Sequence, residues 1–324
     1  MIINGAHMIR NNDVGRDLLE LLQQRAEAWA AAGLVTMVFN SDDYWVYERL
    51  KQYGSRMEVM AVRDLSKSTA IAALKGLRTK IFAARNHTLH DTDADYEHAY
   101  QLIGGRLAFL TKAAKAKKMI RKCEEICETE KAWLLNQCWI LGMSMDDDVM
   151  DQQKYASSAM MLVKYLVDED NKFKESPDYN PNGEHRLPEI PLHKAREVMT
   201  RADFIEQYDH DNLFTIDSKA NVRADSVPMM RAFREIANEP EFAAFLEETM
   251  ERIGDIESLG RTREVSLKDL WNGGQYDMVV KDHKGRLEKS ITLNTKRGRK
   301  VVQGNDGSDE EQEKEKEEEE EAEK

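Results

Sequence analysis

Two apolar runs end in asparagine. Met1-Ile2-Ile3 leads into Asn4 and Gly5, and Leu34-Val35-Thr36-Met37-Val38-Phe39 leads into Asn40 and Ser41. In parallel α/β sheets, ligands are met at the C-terminal ends of strands, and an amide there can orient a water or a polar ligand group. It lacks the charge that a hard divalent cation prefers, and the next carboxylate after Asn4 is Asp13. Without such a setting, Asn4 is a turn residue after a buried strand and Asn40 a turn residue beside a helix cap. Gly104-Gly105-Arg106 opens one helix directly after another. Such a turn either aims an arginine at an anion or only punctuates two helices. Arg56, in the loop before Met57, either reaches toward a phosphate held by a neighbouring subunit or sits solvated on the surface.

Other residues offer less chemistry. His87, His90, Asp91 and His98 share a polar stretch, but their spacing matches no zinc pattern. Asp146-Asp147-Asp148 lacks the alternation and glycine of a calcium loop and reads as a turn before a helix. Cys123, Cys127 and Cys138 form no CxxC pair and read as reduced structural thiols, with Cys123 and Cys127 on one helix face. GxxxxGK[ST] does not occur in the 324 residues. The backbone nest and lysine that cradle β- and γ-phosphates are therefore missing, and the chain as written is not expected to hydrolyse ATP.

The elements that would position these residues alternate at first. Strands at Met1–Asn4, Leu34–Phe39 and Met57–Val62 are interleaved with helices over Arg16–Ala31, Ser41–Tyr53 and from Ser66 onward. That pattern predicts parallel strands with helical crossovers, and the apolar Leu34–Phe39 run predicts cover on both faces. From Tyr96 to Trp139, and again over Gln153–Val167, the spacing is helical. Asp168–Pro191 reads as an exposed loop and His193–Tyr208 as one helix. Leu213–Ile216 and Asn221–Ala224 form a hairpin, followed by a helix capped at Asp225 or Ser226. Helix, helix and hairpin in that order predict a winged helix. The last fifty residues show no period.

Charge sharpens the picture. The net charge is −13, but from Asp306 to Lys324 twelve acids stand against three lysines. Between Lys281 and Gln303, eight bases face two acids. The acidity is mostly a tail too polar to bury a core, expected to be disordered. No apolar run reaches the roughly 20 residues of a membrane helix, and no secretory signal is visible, so a soluble intracellular protein is expected, with nucleus, cytoplasm and mitochondrion left open. The helix that would enter a DNA groove, Leu192–Asp211, carries more acids than bases. Phosphate contact supplies most nucleic-acid affinity, so the wing is expected to be structural or protein-binding. The basic runs Lys112–Lys122 and Lys296–Lys300 support nucleic acid only weakly.

Together these segments resemble the fungal AAA-type ATPases with a C-terminal winged-helix domain, relatives of archaeal-type and mitochondrial escape protein P-loop ATPases. The resemblance is carried by Ile2–His7, Leu18–Trp29, Val38–Asp43, Ile103–Arg106, Glu130–Leu135, Asp151–Lys154, Arg201–Ile205 through Arg223–Ser226, and Glu257–Glu264. It implies a mixed, mostly α fold. A partial parallel α/β core from Walker B onward spans 1–85 and a helical lid 86–150. A winged helix follows over 151–271, and a basic stretch with a disordered acidic tail over 272–324. It further implies ATP and magnesium as the family's cofactors. Asn4 stands where the Walker B acid belongs, Asn40 is placed as sensor 1, Arg106 as sensor 2 and Arg56 as an arginine finger. The nucleotide-binding half that precedes Walker B in the family plan is not among these residues. A protein partner, or self-association through the ATPase core, is the expected mode of action, with a non-enzymatic DNA-associated winged-helix protein as the alternative.

Overall fold

The computed structural model describes residues 1–52, 54, 57–84, 90–139, 150–177, 179–181, 183–271, 275–281, 287–296 and 299–304, with side chains to Ser258. Strand β1 (Ile2–Asn4) and strand β2 (Val38–Asn40) pair in parallel, flanking helix α1 (Asp13–Ala31). Helix α2 (Tyr44–Lys51) follows β2. Asn12 caps α1 by accepting the Gly15 N–H at 2.9 Å, the local arrangement favoured at a helix start. The strands turn Ile3 and Phe39 inward onto Leu19, Trp45, Val46 and Leu50. Ile2 and Val38 face out, 66% and 49% exposed. The expected cover on both faces is thus absent: α1 and α2 pack on the same side of a two-stranded sheet. Met57–Val62 is also not a strand. It has no ladder partner among the described residues and is almost wholly exposed, and an isolated strand has nothing to satisfy its backbone.

A helical layer comes next: α3 (Lys67–Ala84), α4 (Asp93–Ile103), α5 (Leu107–Lys115) and α6 (Met119–Cys138). Leu74, Tyr100, Ile103, Leu110 and Cys123 form its core. Thr92 caps α4 in a reciprocal box with Asp95. Asp91, weighed above with the histidines, pairs instead with Arg78, Nε to Oδ2 2.6 Å. Burial pushes the Cys123 thiol up to about 12 and raises that of Cys127, as inert packing thiols require. Cys138 is buried in the neighbouring core.

Helix α7 (Met150–Lys174) outruns its predicted end at Val167. Strand β3 (Glu189–Pro191), helices α8 (Leu192–Val198) and α9 (Ile205–His210), and the hairpin β4 (Phe214–Ile216) and β5 (Asn221–Ala224) complete the winged helix. The antiparallel order is β3-β5-β4. Helix α10 (Val227–Ala237) starts at Ser226, whose hydroxyl accepts the Met229 N–H at 3.2 Å. Its buried Met230, Phe233 and Ile236 meet Tyr208 and Phe214 in the largest core, with the Phe214 and Phe233 rings 5.2 Å apart.

Residues 1–250 form one compact unit and 251–324 a second, with helix α11 (Phe242–Trp271) crossing the boundary. In the second unit, β6 (Gln275–Lys281), β7 (Leu287–Lys296) and β8 (Arg299–Gly304) make an antiparallel sheet in that order. The expectation that the last fifty residues show no period fails over these three strands. Alternation in Tyr276-Asp277-Met278 and Ile291-Thr292-Leu293-Asn294 is a strand period. The acidic tail lies outside the described residues. No helix among the described residues is long and apolar enough to cross a membrane.

Candidate functional site

The parallel register sets Ile2 beside Val38, Ile3 beside Phe39 and Asn4 beside Asn40. The two amides singled out by sequence are therefore neighbours at one end of the sheet, both exposed. Gly5 follows Asn4 at φ 67°, a left-handed turn that starts the single 3₁₀ turn Ala6–Met8. Within it, His7 Nδ1 accepts the Asp42 N–H at 3.2 Å, tying the two strand-end loops together. Ser41 Oγ accepts the Asp43 N–H at 3.2 Å and so closes the loop before α2.

That loop leads directly into the winged helix. Buried Asp43 meets His210 Nδ1 at 2.7 Å. Beside it, Asp209 accepts the Tyr44 N–H at 2.7 Å through Oδ2 and the Ile216 N–H at 2.9 Å through Oδ1. One carboxylate thus joins the start of α2 to strand β4. Asn11 Nδ2 donates to Glu206 Oε2 at 2.9 Å. Glu206, Asp209 and His210 all lie on α9, so the polar side of this helix is turned onto the N-terminal body.

Burial pushes the Asp209 carboxyl up to about 7, with the charges of Asp43 and Asp225 adding to it and its two N–H bonds opposing. The bond to Asp43 holds the His210 imidazole above its ordinary value. Both groups bind protons more tightly folded than unfolded. Their contribution to stability is present at low pH and lost as pH rises through the folded values. The melting temperature is accordingly expected to fall as pH rises from 5 to 8. Asp209→Asn should flatten the part below about 7, and His210→Asn the part above about 6.5, where free imidazole titrates. Circular dichroism melts across that range check this, and parallel slopes in parent and variants would refute it.

Arg106 is engaged elsewhere. Its Nη1 pairs with Asp225 Oδ2 and its Nη2 donates to the Asp225 carbonyl, while Nε lies 3.6 Å from Asp64. Asp225 precedes the α10 cap, so Arg106 fastens the helical layer to the winged helix. The two preceding glycines make that approach feasible. Gly104 sits at φ 68° with a Cβ position 2.6 Å from Val227 Cγ2, and a Cβ on Gly105 would lie 2.0 Å from the Leu65 carbonyl oxygen. Arg56 lies outside the described residues. Sequence reasoning singled out Asn4 and Asn40 but missed Asp43, Asp209 and His210. Asp43 reads as a helix-dipole residue and Asp209 as one of the acids on the helix that would enter a DNA groove.

Residues 136–257 match the family described as fungal AAA protein, C-terminal winged helix domain. This segment is similar to a fungal AAA-type winged helix. The matched stretch contains helices α7–α10 and the β3-β5-β4 sheet. A solved Walker-type ATPase of Pyrococcus abyssi is similar over 72% of this chain, at 13% identity and a TM-score of 0.41. The chain spans 62% of that ATPase's length. No curated protein matches.

The strand ends beside the winged helix do not suit magnesium and ATP. They offer two neutral amides, and the buried Asp43 is spent on His210. No three His, Cys, Asp or Glu residues converge as a metal site among the described residues. A hard cation takes charged oxygen ligands in preference to such a set.

Proposed function

We propose that the chain is the part of an AAA-type P-loop ATPase that follows the phosphate loop, that it does not hydrolyse ATP alone, and that its winged helix docks protein rather than DNA. The observation that carries this reading is the use of α9. In a winged helix this position is the one that enters a major groove, and here Glu206, Asp209 and His210 are committed to Asn11, Tyr44 and Asp43. A helix that holds its own N-terminal body is not presented to a duplex. It also fixes the Asn4–Asn40 strand ends against the winged helix, so that strain at one is felt by the other. The outward Ile2 and Val38 give this body an apolar surface suited to association with protein.

One observation favours the DNA-associated reading: Lys112, Lys115, Lys117, Lys118 and Arg121 are all exposed, from the end of α5 to the start of α6. A fluorescence titration of the full chain with labelled ATP and with labelled duplex, repeated at several salt concentrations, separates the two. Our reading expects no saturable ATP binding below millimolar concentration and a shallow salt dependence for duplex. Micromolar ATP affinity would overturn the first part. A log–log salt slope near −4 or steeper, the release from about five phosphate contacts, would overturn the second.

A further inference from the structure

The C-terminal end of α7, residues 179–181 and 183–186, α4 and α10 line a cavity of about 480 Å³. That volume is within the range of small-molecule sites, about 300–1,000 Å³. It lies within the 1–250 unit and shares no residue with the strand-end site. Lys174, Arg186, Arg231 and Arg234 line it, against the carboxylates of Asp170 and Glu184.

The charges are unequally matched. Asp170, nearly buried, takes Arg234 in a fork, at 2.7 and 3.0 Å, and also Lys174 at 2.6 Å. One carboxylate thus holds two cations. Arg231 leans on Glu235 at 3.0 Å, and Glu184 accepts the Lys67 N–H at 3.3 Å. The exposed Arg186 sits over the Phe173 ring, 4.8 Å from guanidinium carbon to ring centre, and no ion pair among the described residues engages it. Tyr179 meets Phe173 edge-on at 6.0 Å, extending an aromatic wall beside the arginines. At the cavity's inner side, His185 Nε2 donates to the Tyr100 carbonyl at 3.1 Å, which leaves Nδ1 an acceptor. Burial lowers the His185 pKa and keeps the ring neutral.

Planar guanidinium forks match phosphate oxygens, and aromatic faces take flat rings. We propose that this cavity binds a small phosphate monoester carried on a planar ring. The phosphate would meet Arg186, Arg231 and the cation left over at Asp170, the ring would lie against the Phe173–Tyr179 wall, and His185 Nδ1 would accept from a ligand hydroxyl. The proposal is independent of any nucleotide role at Asn4 and Asn40.

Isothermal titration of the full chain with adenosine monophosphate, phenyl phosphate, adenosine and inorganic phosphate tests it. Both ring-bearing phosphates should bind at least about tenfold more tightly than adenosine or inorganic phosphate. Arg186→Gln and Arg231→Gln, both at exposed positions, should each weaken that binding about tenfold or more, as loss of a charged hydrogen bond does. The melting temperature without ligand should stay at the parent value, and Asn4→Ala with Asn40→Ala should leave the affinity unchanged. Equal affinity for inorganic phosphate or adenosine, undiminished binding in the two arginine variants, or no binding of either ring phosphate at millimolar concentration overturns the proposal.

Discussion

Arg78→Met is expected to destabilise the 1–250 unit by about 3–5 kcal/mol, the range found when one partner of a buried ionic cluster is removed. Arg78 is 1% exposed in the middle of α3. Its Nε pairs with Asp91, and its Nη1 donates to the carbonyls of Ala113, Ala114 and Ala116 at 3.3, 3.4 and 2.8 Å. Those carbonyls belong to the last turn and C-cap of α5, where intrahelical donors run out, and that of Ala113 also accepts the Ala116 N–H at 3.2 Å. Arg78 is therefore a C-terminal cap delivered from another helix, and its guanidinium also covers the Phe82 ring at 4.7 Å. Methionine fills much of the space but leaves the carbonyls and Asp91 without their donor. With roughly 2–4 °C lost per kcal/mol in a body of this size, the melting temperature should drop by about 6–20 °C. Arg78→Lys keeps the charge without the fork and should recover only part of that loss. A loss below about 1 kcal/mol, on the scale of an exposed pair, would mean that water replaces the arginine at all four acceptors.

The second large effect is expected at Arg106. Its partner Asp225 is nearly buried and also accepts the Thr215 hydroxyl at 2.8 Å, so Arg106→Ala leaves a carboxylate facing β4 and the α10 cap without its cation. Arg106 keeps 28% of its side chain exposed, so the cost should fall near the lower end of that range, about 3 kcal/mol. Hydrogen exchange gives the readout that sets this role apart from a nucleotide sensor. Amides of β4, β5 and the first turns of α10 should lose protection in Arg106→Ala while those of α3 do not. Stability and exchange unchanged, with altered ATP affinity, would return Arg106 to the sensor role that the resemblance implies.

What could be read in advance was local. Ser226 with Pro228 and the apolar spacing of Met229, Met230, Phe233 and Ile236 specify α10 almost alone, and the turn Asp217–Ala220 specifies the hairpin. The helix expected over His193–Tyr208 is instead broken after Val198. There the Ser158 hydroxyl accepts the Arg201 N–H at 3.1 Å and donates to its carbonyl at 3.3 Å, supplying from α7 the bonds a continuous helix would have made. Nothing within the segment announces that donor. Met57–Val62 has strand composition, but a strand is completed by a neighbour, and none among the described residues pairs with it. The same distinction divides the site. Asn4 and Asn40 follow from two short apolar runs, whereas Asp43 and His210 are 167 residues apart and acquire meaning only when folded together.

That separation also sets a timetable. At about 5–20 residues per second, His210 leaves the ribosome roughly 8–33 s after Asp43. Throughout that interval the N-terminal body has only its own small core of Leu19, Trp45, Val46 and Leu50 to hold it, while Ile2, Leu18, Leu21, Leu34 and Val38 are open to water. The nascent N-terminal body thus waits many seconds for the α9 contacts that anchor it, carrying an apolar surface that stays open in the finished fold. Chaperone demand during synthesis should rise when Asp43, Asp209 or His210 is lost, even where the finished fold survives.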